Sequence, residues 1–423
     1  MKALRLAYLL LLLTCLLPGS GSSQSTPPAT PPPQARTRVP EAIRTEFADV
    51  MGQVPSEDDE SCDRPKAREL LRRAWALTGE WVAAFLDKRP DASADQLVAQ
   101  ANTLSYQRRL SKSEIYDEEL AMRGQQTSDV PAYRTTALET SAVRLRRGPA
   151  AAYAVAARTF GTGTFFIVAR LPGGAFRDVW NVTDIAAERY KPGEFDQIGY
   201  WAYLAHGIND GALIGDVHSL PATHTGLPRF YVDATTIPAM GCTYPKQLSV
   251  WEWNGSAAVP ELIETYTATC DTPPLKLEGN LFMVPTKESL KVLGTCGGCV
   301  TPVGLWTVRV TPAGVDDLGH VFVDPLYPLI DDLLDRTAHG KDVSDIAAPQ
   351  VAAALRESFA SSAATPKPDY CPSADLMGWK LTHGSERDLL EVSMEGSCGG
   401  PGQLSLEIQY RDGKPYVAAG SIK

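Results

Sequence analysis

A chain of 423 residues with 44% hydrophobic side chains holds enough apolar material for more than one core, which excludes a wholly disordered polymer. Its 50 acidic and 40 basic residues give a formal net charge of −10, and Lys and Arg are scattered along the sequence. Nucleic acid is therefore not an expected partner, because phosphate binding needs a basic patch.

Residues 1–23 have the three parts of a secretory signal peptide. Lys2 and Arg5 supply positive charge, Leu6 to Leu17 form a short apolar run, and Pro18 and Gly19 break it ahead of small residues Gly21, Ser22 and Ser23. The run is shorter than the roughly 20 apolar residues of a membrane-spanning helix, and no later segment is apolar enough to span. The mature protein is thus expected outside the cytoplasm, secreted or periplasmic, with no transmembrane segment. Cys15 lacks the small preceding and polar following residues of a lipidation site, so it is read as part of the discarded signal. Residues 24–40, rich in Ser, Thr, Pro and Gln, cannot bury enough surface to offset ordering entropy and read as a disordered tether.

Asp63 to Arg89 is the clearest helix. Pro65 suits its first turn, Pro90 stops it, and Leu70, Leu71, Ala74, Trp75, Trp81, Val82 and Phe85 make one apolar stripe. Ser93 with Gln96 forms a capping-box pattern for a second helix, and Ile115 to Met122 suggests a third. From Val130 the period becomes strand-like, with strands expected at Tyr133 to Leu145, Tyr153 to Thr159, Thr164 to Leu171 and Arg177 to Val182. Residues 186–227 carry His206, Asn209, Asp210, Asp216, His218 and His224 among glycines and prolines, and read as a long functional loop. Strands resume at Arg229 to Thr235 and at Gln247 to Trp253, which runs into the Asn254-Gly255 hairpin signal. Helices at Leu326 to Thr337 and Val343 to Phe359 are followed by C-terminal strands, the last pair joined by Asp412-Gly413.

The pattern predicts an α+β fold: a helical N-terminal part packed on an antiparallel β-meander sheet, with a smaller C-terminal helix-plus-antiparallel-sheet unit. The expected division is a main region over 41–320, helical to about residue 125 and then mainly β, and a C-terminal unit over 321–423.

Removing Cys15 leaves seven cysteines, and export makes disulfides the default. Cys242 with Cys270 flank one hairpin and Cys371 with Cys398 bracket two C-terminal strands, so both are expected pairs, with Cys62 left over. Cys296-Gly297-Gly298-Cys299 reads first as a small structural disulfide loop. A catalytic dithiol would need a helix after the first cysteine, and Val300-Thr301-Pro302 does not make one; a zinc site would need a second ligand pair. Asp216, His218 and His224 hold acid–base side chains in one segment. Trp251 and Trp253 share one face of a strand, as a ligand platform if exposed or as core if buried. No nucleophile elbow, phosphate loop, metal motif or cofactor fingerprint is present, and Asn181 and Asn254 fit glycosylation acceptors. The expected function is a non-enzymatic exported protein that binds a protein or small-molecule partner. The alternative is an exported enzyme, either a thiol-disulfide oxidoreductase using Cys296 and Cys299 or a hydrolase using Asp216, His218 and His224.

Overall fold

Strand periodicity, more than helical periodicity, sets this architecture. The structure, a computed structural model, describes residues 39–54, 64–110, 133–159, 162–182, 213–236, 243–269, 272–288, 290–294, 300, 302–362, 374–396 and 402–422. The chain opens with helices α1 (Pro40–Gly52), α2 (Arg64–Lys88) and α3 (Ala94–Ala101). The α3 cap is the expected reciprocal one: Ser93 Oγ accepts from Gln96 N at 3.2 Å while Gln96 Oε1 accepts from Ser93 N at 3.0 Å. A two-stranded ribbon, β1 (Ser105–Arg109) with β2 (Tyr133–Ala137), leads into the sheets.

The first four-stranded sheet is an antiparallel meander of β3 (Glu139–Arg146), β4 (Ala152–Thr159), β5 (Thr162–Arg170) and β6 (Phe176–Asn181). The second repeats the plan with β7 (Leu213–Leu220), β8 (Arg229–Thr236), β9 (Thr243–Trp253) and β10 (Ala258–Thr269). Its β9–β10 turn falls at Asn254-Gly255, where Asn254 Oδ1 accepts from Ser256 N and Ala257 N and Gly255 takes φ 104°. The third sheet joins β11 (Lys276–Glu278), β12 (Leu281–Lys287), β14 (Val303–Thr311) and β15 (Gly314–Phe322). Short β13 (Leu293–Gly294) instead begins the C-terminal sheet with β16 (Ala374–Thr382), β17 (Asp388–Gly396), β18 (Gln403–Arg411) and β19 (Lys414–Ile422). Helices α4 (Leu326–Ala338) and α5 (Pro349–Ser362) lie between β13 and β16 in sequence and share the core of that sheet.

The α+β expectation is corrected. Among the described residues strands make up 49% and helices 26%, so the molecule is mostly β, with five α-helices and many antiparallel sheets. The expected plan of a helical part on one meander gives way to cores between sheets. One is shared by the first and second sheets through Phe165, Ile167, Trp180, Phe230, Val232, Trp251 and Trp253. Another is shared by the second and third through Tyr231, Leu248, Val250, Phe282, Val284, Trp306 and Val308. α1 to α3 share a further core with Tyr153, Val155, Phe166 and Val168. The C-terminal sheet is also not purely antiparallel, because β13 pairs in parallel with β16. The expectation failed because β7 lay in the stretch read as a loop: its polar residues alternate with apolar ones, and that pattern becomes an edge strand only when its partner β8 is present. The suggested helix at 115–122 lies outside the described residues.

Two buried charged side chains join elements that are distant in sequence. Arg229, 2% exposed, donates through Nε to Glu261 Oε1 at 2.8 Å and through Nη1 to the Thr311 carbonyl, linking β8, the bulged start of β10 and the end of β14. Asp331 of α4, 4% exposed, accepts three backbone N–H bonds: Lys291 at 2.8 Å, Val292 at 2.7 Å and Leu293 at 3.0 Å. That carboxylate ties β13 to α4. No helix among the described residues is long and apolar enough to cross a membrane.

Arg229→Met strands Glu261 in a largely buried position, where loss of one partner of a buried ion pair costs about 3–5 kcal/mol. Chemical denaturation is expected to show that loss, and the double variant Arg229→Met/Glu261→Leu is expected to regain most of it.

Candidate functional site

On β17 and β18, alternate residues point to opposite faces of the C-terminal sheet. Leu390, Val392, Met394, Leu404, Leu406 and Ile408 enter the core shared with α4 and α5. The intervening Glu391, Ser393, Gln403 and Ser405 therefore lie on the other face, where a groove of about 420 Å³ opens. That volume falls within the range of small-ligand sites.

Strand register arranges the polar groups of this groove in two rows. Lys380, Glu391, Ser405 and Ser421 sit side by side across β16, β17, β18 and β19, while Gly378, Ser393 and Gln403 form the neighbouring row. Lys380 Nζ donates to Glu391 Oε2 at 3.0 Å, so the two charges at one end of the first row cancel. A Cβ at position 378 would collide with the Ser393 hydroxyl, so glycine there leaves that hydroxyl its present rotamer. Among the described residues, the side chains of Ser393, Gln403, Ser405 and Ser421 have no protein hydrogen-bond partner. Each hydroxyl and amide both donates and accepts.

Trp379 pairs with core-facing Val392 and packs against the C-terminal core, so its ring lies on the face opposite the groove's serines. Its Nε1 donates to Asp324 Oδ2 at 3.0 Å, and its ring stacks on Tyr327 at 4.1 Å and 20°. Burial, and then the nearby Asp324 carboxylate, pushes the Tyr327 phenol up to about 12, so it stays a neutral stacking partner at physiological pH. None of these groove residues was singled out from sequence. A signal existed in Val392-Ser393-Met394, Leu404-Ser405-Leu406 and Gly420-Ser421-Ile422, but only strand register shows that the three serines share one face.

The sequence-derived candidates fall elsewhere. Asp216 and His218 lie two apart on β7 and hence on one face, opposite Asp233 and Tyr231 of β8. Gly215 lets β7 approach closely here, since a Cβ would collide with the Asp233 carbonyl. Asp216 Oδ1 accepts from Arg158 Nη1 at 3.0 Å, and Arg158 Nε donates to Glu139 Oε2 at 2.9 Å. This chain of charges stitches the first sheet to the second. His218 stacks on Tyr231 at 4.6 Å and 22°. His224 sits exposed on the turn after β7, its backbone N–H donating to the Pro312 carbonyl, and no hydrogen bond joins it to Asp216 or His218. Trp251 and Trp253 are each 1% exposed and belong to the core between the first two sheets, where Trp251 meets Phe165 edge-on at 5.1 Å. Cys62, Cys242, Cys270, Cys296, Cys299, Cys371 and Cys398 lie outside the described residues, as does Cys15. Among the described residues no group of three or more His, Cys, Asp or Glu is placed to hold a metal ion.

Asp233 is the most perturbed acid in this region. Burial raises its carboxyl above the ordinary range, opposed by the Lys246 ammonium, by the Tyr266 hydroxyl donating at 3.3 Å, and by His218. With this geometry in view, comparison with known proteins adds no relative: no family model, curated protein or solved structure matches the chain.

A carboxyl whose folded pKa is raised binds its proton more tightly in the folded than in the unfolded chain. Its stabilising contribution is complete below the ordinary Asp value of about 3.9 and is lost as pH climbs through the raised value. Asp233→Asn cannot ionise, so thermal unfolding at pH 7 is expected to show the variant melting above the native protein. The gap should close at about pH 4 and below; a native protein more stable than the variant at pH 7 would contradict the assignment.

Proposed function

We propose that this is an exported protein that binds a polar ligand on the open face of its C-terminal sheet without converting it. The observation that carries the reading is the groove itself, where one sheet face holds unpartnered donors and acceptors over a rigid floor. The opposite face is anchored in a core with α4 and α5, so ligand groups meet side chains fixed on strands, which favours precise hydrogen bonding. The signal-like first 23 residues support a place outside the cytoplasm.

A mixed panel of sugars, peptides, nucleotides and amino acids, read by thermal shift on the full chain, tests this. A ligand at about 100 times its Kd adds about 2.7 kcal/mol of stability, enough to move the melting point by several degrees. Ser393→Trp places an indole in the groove and is expected to abolish that shift while leaving the unliganded melting point within a few degrees. A ligand whose shift survives in this variant, or one that the native protein consumes, would contradict the proposal.

A further inference from the structure

The spacing of the groove's polar groups indicates the ligand class, an inference that rests on the binding role just proposed. Neighbouring strands lie about 4.8 Å apart, so the row Lys380, Glu391, Ser405, Ser421 offers hydrogen-bonding groups at about that repeat across four strands. An extended chain of linked hexoses advances by one pyranose ring per unit, a distance comparable to the strand spacing of about 4.8 Å. A peptide advances by about 6.8 Å for every second residue, the spacing along a strand and not across the sheet. A ligand matched to the row therefore crosses the strands and repeats once per strand.

Charge narrows the class further. The two ionic groups in the groove are Lys380 and Glu391, and they are paired at 3.0 Å, leaving no net charge for a phosphate, a uronate or a cationic chain to meet. Ser393, Gln403, Ser405 and Ser421 can each donate and accept, as sugar hydroxyls do. The second row, 378–393–403, lies two residues along the strands, about 6.8 Å away, and can reach the other edge of the same sugar rings. From these features we infer that the groove binds an extended, uncharged oligosaccharide laid across the strands of the C-terminal sheet.

The test is calorimetric titration of the full-length protein with neutral hexose and N-acetylhexosamine oligosaccharides from disaccharide to hexasaccharide. Matched uronate oligosaccharides and short peptides serve as comparisons. Affinity for a neutral series is expected to rise with length until the chain spans the four strands of the row and then level off. Ser405→Trp is expected to weaken that binding at least about tenfold, equivalent to about 1.4 kcal/mol. Ser421→Tyr, at the exposed end of the row, should weaken only the longer chains, which separates blockage from misfolding. Absence of neutral-oligosaccharide binding overturns the inference. If charged sugars or peptides bind instead and Ser405→Trp removes that binding, the sugar class fails while the groove stands. If binding of any tested ligand is indifferent to both substitutions, the groove reading fails too.

Discussion

A β-sheet buried on both faces constrains its chain more tightly than one that shows a face to water, and the second sheet is in that position. Phe230, Val232, Trp251 and Trp253 point to the first sheet, whereas Tyr231, Leu248 and Val250 point to the third. A slip of one residue in β8 or β9 would exchange these two sets at once, placing tryptophans where valine and leucine now fit. The register of these strands is therefore held from both sides. Phe165, Trp180 and Trp251 lie within 5.1 to 5.4 Å of one another as ring centroids, and each such pair adds about 0.5–1.5 kcal/mol beyond its buried area.

Polar links sit at the ends of these apolar faces. Arg229 and Thr311 connect the second sheet to the third, and Arg158 and Asp216 connect the first to the second. The Arg158 links are partly exposed and contribute little free energy. Arg229 is buried, so its value lies in admitting one arrangement: any other leaves a guanidinium without acceptors. Asp331 plays a comparable part for the C-terminal unit, gathering three adjacent backbone N–H groups.

Features set by neighbours in sequence were legible in the sequence. α2 follows its apolar stripe, α3 its capping box, and positive φ is taken by Gly255 in one hairpin turn and by Asp412 and Gly413 in another. Asp412 and Gly413 take φ 51° and 76°, as a tight hairpin requires. Features set by distant partners were not legible. β7 looked like a loop because Asp216 and His218 alternate with Gly215 and Val217; only Arg158, from another sheet, explains the aspartate. α1 begins where the proline-rich stretch ends, and its buried Ile43, Phe47 and Met51 are spaced four apart, a stripe too short to stand out. The groove was hidden for the same reason as β7. One serine between two apolar residues marks any half-buried strand, and the polar row of the groove exists only once three such strands are in register.

The same alternation that buries the second sheet twice leaves the C-terminal sheet buried once, which puts its serines on the open face. This account makes the second sheet the last part to open. Native-state hydrogen exchange measured against denaturant tests it directly. Amides of β8 and β9 are predicted to exchange only through global unfolding, with the same free energy and denaturant slope as the whole molecule. Exchange of those amides through a smaller local opening, while β4, β5, β12 and β14 stay protected, would contradict it.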